Sequence, residues 1–502
     1  MAHYRHHKTR LQKWPHRHRD WKLARQSSNF EHYQTLHEES MLPKNVLEKM
    51  HRLEAAGHEC YIVGGAALYN FAYLNMGLTN YKQEPKDYDL FTNCPSNELL
   101  EIFPEAKPMG GQDRLNKIFT VITPDQVEIS IYRGNGERTE TGKTIFDHQS
   151  TCDFSMNAIA MSSKGEFILP PDVINHLKQQ RLVAMGNPED RIAEDPNRIL
   201  RAFRIATKYD LTIENSLYWV LLTTSIASIP KEVIHDELLK ILPLGIDQLY
   251  ISGKLFEIFP RLKEMENITG RGIHHEETCL EHTLETYRQM LHHTTDPILL
   301  FTAIVHDWGK VTAYDPDTKK FTGHENIGAK EVKALMQDLK FSNHDIKRVV
   351  WLVKNHMKCR NDDDCTKRSR SKWYKFLNRM EDAGVSISDH LTLKYCDSRS
   401  RMVTGYWVHE QSLTTLETFT DQDITAQWYN RYIGEHFPQR LKYIDVSGTD
   451  LIMLGIPKGP LIGEVLSKLY IMVLAAELPN EKEALINQVA KWQEAKSNIF
   501  LN

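Results

Sequence analysis

The chain has 502 residues, 41% hydrophobic and 25% charged, with a net charge of −4. That is an ordinary soluble globular make-up, long enough for three or four domains of roughly 150 residues, and too near neutral to mark a nucleic-acid binder by net charge alone. No stretch approaches the ~20 apolar residues of a membrane span and no apolar signal segment follows the start, while seven scattered cysteines suit free thiols, so a chain in the reducing cytoplasm without a membrane span is expected.

In chain order, residues 1–40 form a basic N-terminal arm. Its first 25 residues hold eight Lys/Arg, five His and one acid. Such a run reads as a solvated tail or as an RNA-touching arm. Residues 41–180 alternate helix and strand. The segment "ECYIVGG" is a short strand entering a glycine turn, "ALYNFAYLNM" has helical spacing, and "DYDLFT" is a strand. "IFTVIT" and "VEISIY" form a hairpin around Pro124-Asp125-Gln126. After Pro170-Pro171 the pattern is almost wholly helical, with helix starts at Asp195-Pro196 and at Ser447-Gly448-Thr449-Asp450. The fold class is therefore α+β: a small α/β head on a long helical body. A basic run, 366–379, lies inside that body.

Chemistry concentrates first at Asp87 and Asp89. On a strand, residues i and i+2 share a face, so these carboxylates converge and repel unless a cation sits between them. Mg²⁺ held by carboxylates and substrate phosphates is the usual arrangement for phosphoryl or nucleotidyl transfer, and Glu128 on a neighbouring strand is the third candidate ligand. Gly64-Gly65, about 22 residues upstream, offers backbone N–H groups to a triphosphate. An Asp-x-Asp taken alone reads first as a solvated strand end, and the Gly-Gly turn upstream brings the two readings level. Asp195 before Pro196 reads as a helix N-cap, and Arg198 and Arg201 as partners of nearby acids. An Asp and an Arg one turn apart also offer the acceptor and forked donor that read a base edge.

The ordered segments "VGGA…PKDYDLFT", "DFSMNAIAM" and "EDPNRILRAFRIA" closely resemble the bacterial class II tRNA nucleotidyltransferases, the CCA-adding enzymes, and the related bacterial poly(A) polymerases. The segment "VSGTDLIMLGIPKGPLIGEVLSKL" (446–469) is similar to the tail of the CCA-adding branch, so the resemblance runs from about residue 43 to 495. It implies that Asp87 and Asp89 hold the metals, with Glu128 beside them, and that Gly64 and Gly65 hold the triphosphate. It further implies that Asp153 lies near the ribose and that Asp195 with Arg198 selects CTP or ATP. The protein then serves as its own template. Two departures stand out. The family usually has Val-Arg-Asp where this chain has Ala67-Leu68-Tyr69, and Arg-Arg-Asp where it has Thr151-Cys152-Asp153. Three arginines and one aspartate of the triphosphate and ribose pocket are replaced, and Lys86 is expected to supply part of the missing positive charge.

Farther along, "LLFTAIVHDWGK" sets His306 beside Asp307 at the end of an apolar helix. Imidazole and carboxylate suit Mn, Fe, Ni or Zn. Most His-Asp dipeptides are surface accidents, and with 24 histidines some will fall near any template. With His282, His324, His356 and Asp397, however, the series is similar to that of the HD-domain phosphohydrolases. That likeness implies one metal on His282, His306, Asp307 and Asp397, a second on or braced by His324 and His356, and Asp307 bridging. It also implies 2′,3′-cyclic phosphodiesterase or phosphatase activity.

The expected organisation is a nucleotidyltransferase head at 41–180, a helical neck at 181–270 that binds nucleotide and RNA, an HD domain at 271–400, and a tRNA-binding helical tail at 401–502. The expected function is template-independent addition of CCA to tRNA 3′ ends. The rivals are a poly(A) polymerase of the same superfamily, an HD phosphohydrolase with a non-catalytic RNA-binding head, and a catalytically silent tRNA-binding protein. Oligomeric state is not legible.

Overall fold

A computed structural model of the chain describes residues 32–33, 42–109, 120–134, 142–269, 277–358, 370–400, 444–474 and 477–494. The basic arm lies outside the described residues apart from His32–Tyr33, as do the first residues of the 366–379 run. Two compact units divide between Ser225 and Ile226.

The first unit is built on an eight-stranded sheet. Its strands are β1 (His32–Tyr33), β2 (Cys60–Val63), β3 (Asp89–Thr92), β4 (Lys107–Pro108), β5 (Thr120–Ile122), β6 (Glu128–Ile131), β7 (Ala160–Met161) and β8 (Phe167–Ile168). Their order is β1-β8-β7-β2-β3-β6-β5-β4, and only the β3–β6 pair is parallel. Alternation explains the layering: Leu90, Ile62 and Ile129 are wholly buried, whereas Asp89 and Glu128 are only partly covered. Helix α1 (Lys44–Ala55) buries Val46, Met50 and Leu53 on one stripe. Lys49 on that helix reaches Asp125 in the β5–β6 turn at 2.7 Å, pinning the hairpin whose fourth loop residue, Gln126, has φ of 65°.

Three local expectations are modified. Strand β3 starts at Asp89 rather than Asp87, because the ladder partner β6 itself begins at Glu128 and leaves nothing for Asp87 to pair with. After the glycine turn, a single α-helical turn, α2 (Gly65–Leu68), widens into a π-helix over Tyr69–Asn75. Short runs of this kind often accompany functional sites. Among the described residues beyond Pro171, the named strands are one parallel pair, β9 (Arg181–Leu182) with β10 (Thr212–Ile213), and the rest of the regular structure is helical.

The second unit is helical throughout its described residues. Its main elements are α5 (Cys279–Leu291), α6 (Pro297–Val305), α7 (His324–Asp338), α8 (Asn343–Asn355), α9 (Arg370–Asp382) and α10 (Ile387–Arg399). Helix α6 is apolar on all sides and every residue from Ile298 to Val305 is buried, as expected of a central helix. In the tail, Ser447 caps Gly448–Met453 through a reciprocal box with Asp450, matching the start read from the sequence. No helix among the described residues is long and apolar enough to cross a membrane.

Candidate active sites

The first site gathers on the partly covered face of β3 and β6. Parallel register sets Asp89 directly opposite Glu128, the first residue of each strand, and Asp87 precedes them on the exposed approach to β3. Burial, then the charges of Glu128 and Asp87, push the Asp89 carboxyl up to about 6 against the opposing charge of Arg201. A carboxyl whose ionisation is opposed by two neighbouring acids forms, with them, a site suited to a divalent cation. Gly64 opens α2 with φ of 91° and ψ of −138°, a conformation reserved for glycine, and Gly65 follows as the first helical residue.

Two helices supply the other side chains: α3 (Pro188–Glu194) and α4 (Arg198–Tyr209). Arg201 pairs with the buried Asp153, whose carboxylate also accepts from the Phe154 N–H at 2.8 Å and from Asn157 Nδ2 at 2.9 Å. Burial opposes ionisation of Asp153, but the Arg201 charge together with the hydrogen bonds from Asn157 and the Phe154 N–H and the charge of Arg198 outweighs it and holds the carboxyl below its usual range. One guanidinium thus answers both Asp153 and Asp89. Arg198 is turned elsewhere: it donates to the Arg191 carbonyl at 2.8 Å, to Glu194 at 3.1 Å and to the Thr151 carbonyl at 3.0 Å. Asp195 does not begin a helix with Pro196. It ends α3, its side chain accepts from the Asn197 N–H at 3.2 Å, and α4 starts at Arg198. Lys86 is exposed on the loop before β3.

The substituted positions have become packing positions. Leu68 is buried in the core and Tyr69 is half-buried, its ring 5.5 Å from that of Tyr73. Thr151 is buried with its hydroxyl donating to the His148 carbonyl at 2.8 Å. Cys152 packs on a core cluster that includes Val63 and Tyr132, and burial pushes its thiol up to about 12. Positive charge near the carboxylates therefore comes from α4, through Arg201. Arg191 and Glu194 brace Arg198, and sequence reasoning passed over both although they sit in the same motif.

The second site lies within the helical unit and is almost wholly buried. Asp307 projects between four imidazoles. Its Oδ2 is 3.1 Å from His306 Nε2 and 3.5 Å from His282 Nε2, and its Oδ1 is 3.3 Å from His324 Nε2 and 3.5 Å from His356 Nε2. Asp397 on α10 reaches His282 at 3.1 Å. The ring orientations follow from backbone partners. His306 Nδ1 faces the Ala303 carbonyl at 2.8 Å, His324 Nδ1 the Phe321 carbonyl at 2.9 Å, and His356 Nδ1 the Val353 carbonyl at 2.6 Å. A proton on each Nδ1 leaves the Nε2 lone pairs aimed at Asp307. His324 and His356 then face each other nitrogen to nitrogen at 3.3 Å, and His306 Nε2 is buried without a hydrogen bond. Those atoms need a shared proton or a cation. Two overlapping groups, His282-His306-Asp307 and Asp307-His324-His356, each bring their ligand atoms within 4.8 Å of one another, so the donor set fits a metal on either side of Asp307.

Electrostatics agree with that reading. Burial opposes the charge on Asp307, but His306 and Lys310 outweigh it and hold the carboxyl well below its usual range. Burial likewise opposes protonation of His282 and His324, and hydrogen bonds to carboxylates raise both; for His356 burial wins and the ring is lowered. Lys310, Glu277 and Gly309 were not singled out from the sequence. Lys310 lies one turn beyond Asp307, 2.5 Å from its Oδ2, and Glu277 sits 3.4 Å from His282 Nδ1. A Cβ on Gly309 would lie 2.1 Å from the His324 carbonyl oxygen, so only glycine lets α7 approach closely enough to deliver His324. The short spacing of "HDWGK" offered a signal for Lys310 and Gly309; nothing local marks Glu277.

Comparison with known proteins places these geometries in context. Residues 279–402 match the HD domain model, and residues 409–489 match a model described as tRNA nucleotidyltransferase domain 2, putative. The A-adding tRNA nucleotidyltransferase of Deinococcus radiodurans is 28% identical over 68% of this chain and 78% of its own length. Poly(A) polymerase I of Salmonella typhi is 28% identical over 44% of the chain and only 48% of its own length. The CCA-adding enzyme of Levilactobacillus brevis is 23% identical over 90% and 98%. Among solved structures, the Bacillus stearothermophilus CCA-adding enzyme in complex with CTP has the same fold, with a TM-score of 0.55 over 91% of this chain and 99% of that one at 17% identity. The chain thus carries an HD domain in its helical unit, and it is similar to tRNA nucleotidyltransferases over two thirds or more of its length and to a bacterial poly(A) polymerase over less than half.

Proposed function

We propose that this protein adds CCA to tRNA 3′ ends from CTP and ATP without a nucleic-acid template, in the cytoplasm. The observation that carries the reading is the in-register pairing of Asp89 with Glu128 beside Asp87, with the Asp89 carboxyl raised to about 6. Asp87, Asp89 and Glu128 hold the catalytic cation. Mg²⁺ bound there supplies a Lewis acid that lowers the pKa of the RNA 3′-hydroxyl and neutralises charge on the reacting phosphate. Gly64-Gly65 bring backbone N–H groups to the triphosphate. Asp153, held ionised by Arg201, contacts the ribose, and Asp195 with Arg198 reads the base once Arg198 exchanges an internal partner for it. Lys86 offsets charge at the mouth of the site. The expected organisation, with a neck over 181–270 and a tRNA-binding tail over 401–502, fits this role.

The HD cluster is proposed to act on phosphate esters of RNA or nucleotide ends. His282, His306, Asp307 and Asp397 hold one transition metal, with His324 and His356 on the other side of Asp307. A metal held by these residues would supply acidified water as a nucleophile, and Lys310 would stabilise negative charge developing on phosphate.

A narrower reading, addition of the terminal A alone, is favoured by the likeness to the A-adding enzyme and by the internal engagement of Arg198. Incorporation of labelled CTP and ATP into transcripts ending before the first C, or before the A, separates them when product ends are sequenced. C, C and A followed by a stop supports CCA addition. A alone, on the second transcript only, supports the narrower reading. A long A tail moves the protein to polyadenylation, and no incorporation at all refutes nucleotidyl transfer.

A further inference from the structure

Helix α8 has two chemically opposite faces. Val349, Leu352 and Val353 are buried in the core, while Asn343, Lys347, Val350 and Lys354 form a stripe along the other side and line an open groove of about 980 Å³. Lys333 from α7, Lys358 just beyond α8 and Arg379 from α9 complete its charged lining, against one carboxylate, Asp382. All five cations are exposed, and none is ion-paired among the described residues. Clustered like charges repel one another, and a bound polyanion relieves that repulsion. Between them Trp351 is half-buried, its ring braced by Phe376 at 5.2 Å and by His390 at 5.5 Å. His390 Nε2 lies 3.2 Å from the carbonyl of Asn355, which lines the groove. The next residue, His356, turns its ring the other way, towards Asp307.

We propose that this groove binds single-stranded RNA, with phosphates on the lysines and one base against Trp351. A row of cations flanking a fixed aromatic face is the combination that holds single strands without sequence preference, by counter-ion release and stacking. An acidic peptide would satisfy the lysines but leave the aromatic face unused. The groove thereby gives the HD module its own hold on an RNA strand, independent of nucleotidyl transfer.

Fluorescence anisotropy of a short labelled oligoribonucleotide with the full chain, at several salt concentrations, tests it. Lys347→Gln with Lys354→Gln should weaken binding about tenfold at physiological salt and lower the slope of log affinity against log salt by about 1.4, at about 0.7 per phosphate contact. Lys319→Gln with Lys320→Gln, exposed in the same unit but outside the groove, should change neither. Trp351→Leu, checked for folding by thermal melting, should weaken the base-bearing strand severalfold and leave an abasic sugar-phosphate strand unaffected. An unchanged slope for the Lys347/Lys354 variant overturns the proposal. So does equal loss for the two strands in Trp351→Leu, together with displacement of RNA by a poly-glutamate peptide, which would make the groove a site for an acidic protein segment.

Discussion

Replacing Asp89 by Asn should abolish nucleotide addition and at the same time stabilise the protein. The Asp89 carboxyl is pushed from 3.8 up to about 6 by burial and by Glu128 and Asp87. At 1.36 kcal/mol per unit, ionising it in the fold costs up to about 3 kcal/mol. The folded-state pKa is the higher one, so the folded chain holds this proton longer than the unfolded chain. The penalty is therefore absent below about pH 4, grows as pH rises and is complete above about pH 6. Asn removes the charge in nearly the same volume. Thermal melting in EDTA at pH 7 should show Asp89→Asn more stable than wild type by up to about 3 kcal/mol, or roughly 6–12 °C for a unit of this size. At pH 4 the two should converge, and at pH 7 added Mg²⁺ should raise the wild type and not the variant. A variant no more stable than wild type at pH 7, or a gain that persists at pH 4, would refute the reasoning.

Three further substitutions probe the same geometry. Gly309→Ala puts a methyl group 2.1 Å from the His324 carbonyl oxygen. It should cost about 1–3 kcal/mol and cut metal content more than tenfold by elemental analysis, while nucleotide incorporation continues. Arg201→Met leaves the buried Asp153 without its cation. Its carboxyl pKa should rise in ¹³C-detected titration, stability should fall by about 1–2 kcal/mol after discounting for the half-exposed guanidinium, and nucleotide addition should be lost. Gly64→Ala forces an L-residue to φ of 91° and should cost about 1–3 kcal/mol, with CTP affinity by calorimetry reduced at least tenfold.

Much of this protein is written in local pattern. The strand ahead of Gly64-Gly65, the hairpin around Pro124-Asp125-Gln126, and the Ser447–Asp450 box are each decided by neighbours within a few residues, through side-chain alternation, turn chemistry and capping. The residue types of both sites were legible for the same reason, because carboxylates and imidazoles in short motifs announce metal chemistry. Other features depend on what lies across the fold. Strand β3 stops short of Asp87 because its partner begins at Glu128, and Asp195 closes one helix rather than opening the next. No local signal shows that Arg201 pairs with Asp153 while its charge also acts on Asp89, that Arg198 faces the Thr151 carbonyl, or that Glu277 backs His282. Sequence by itself determined the inventory of elements and of chemical groups, since those follow from short-range periodicity. Tertiary structure alone decided strand register, ring orientation and which charges are buried together, because ladder pairing, desolvation and close backbone approach act between residues far apart in the chain.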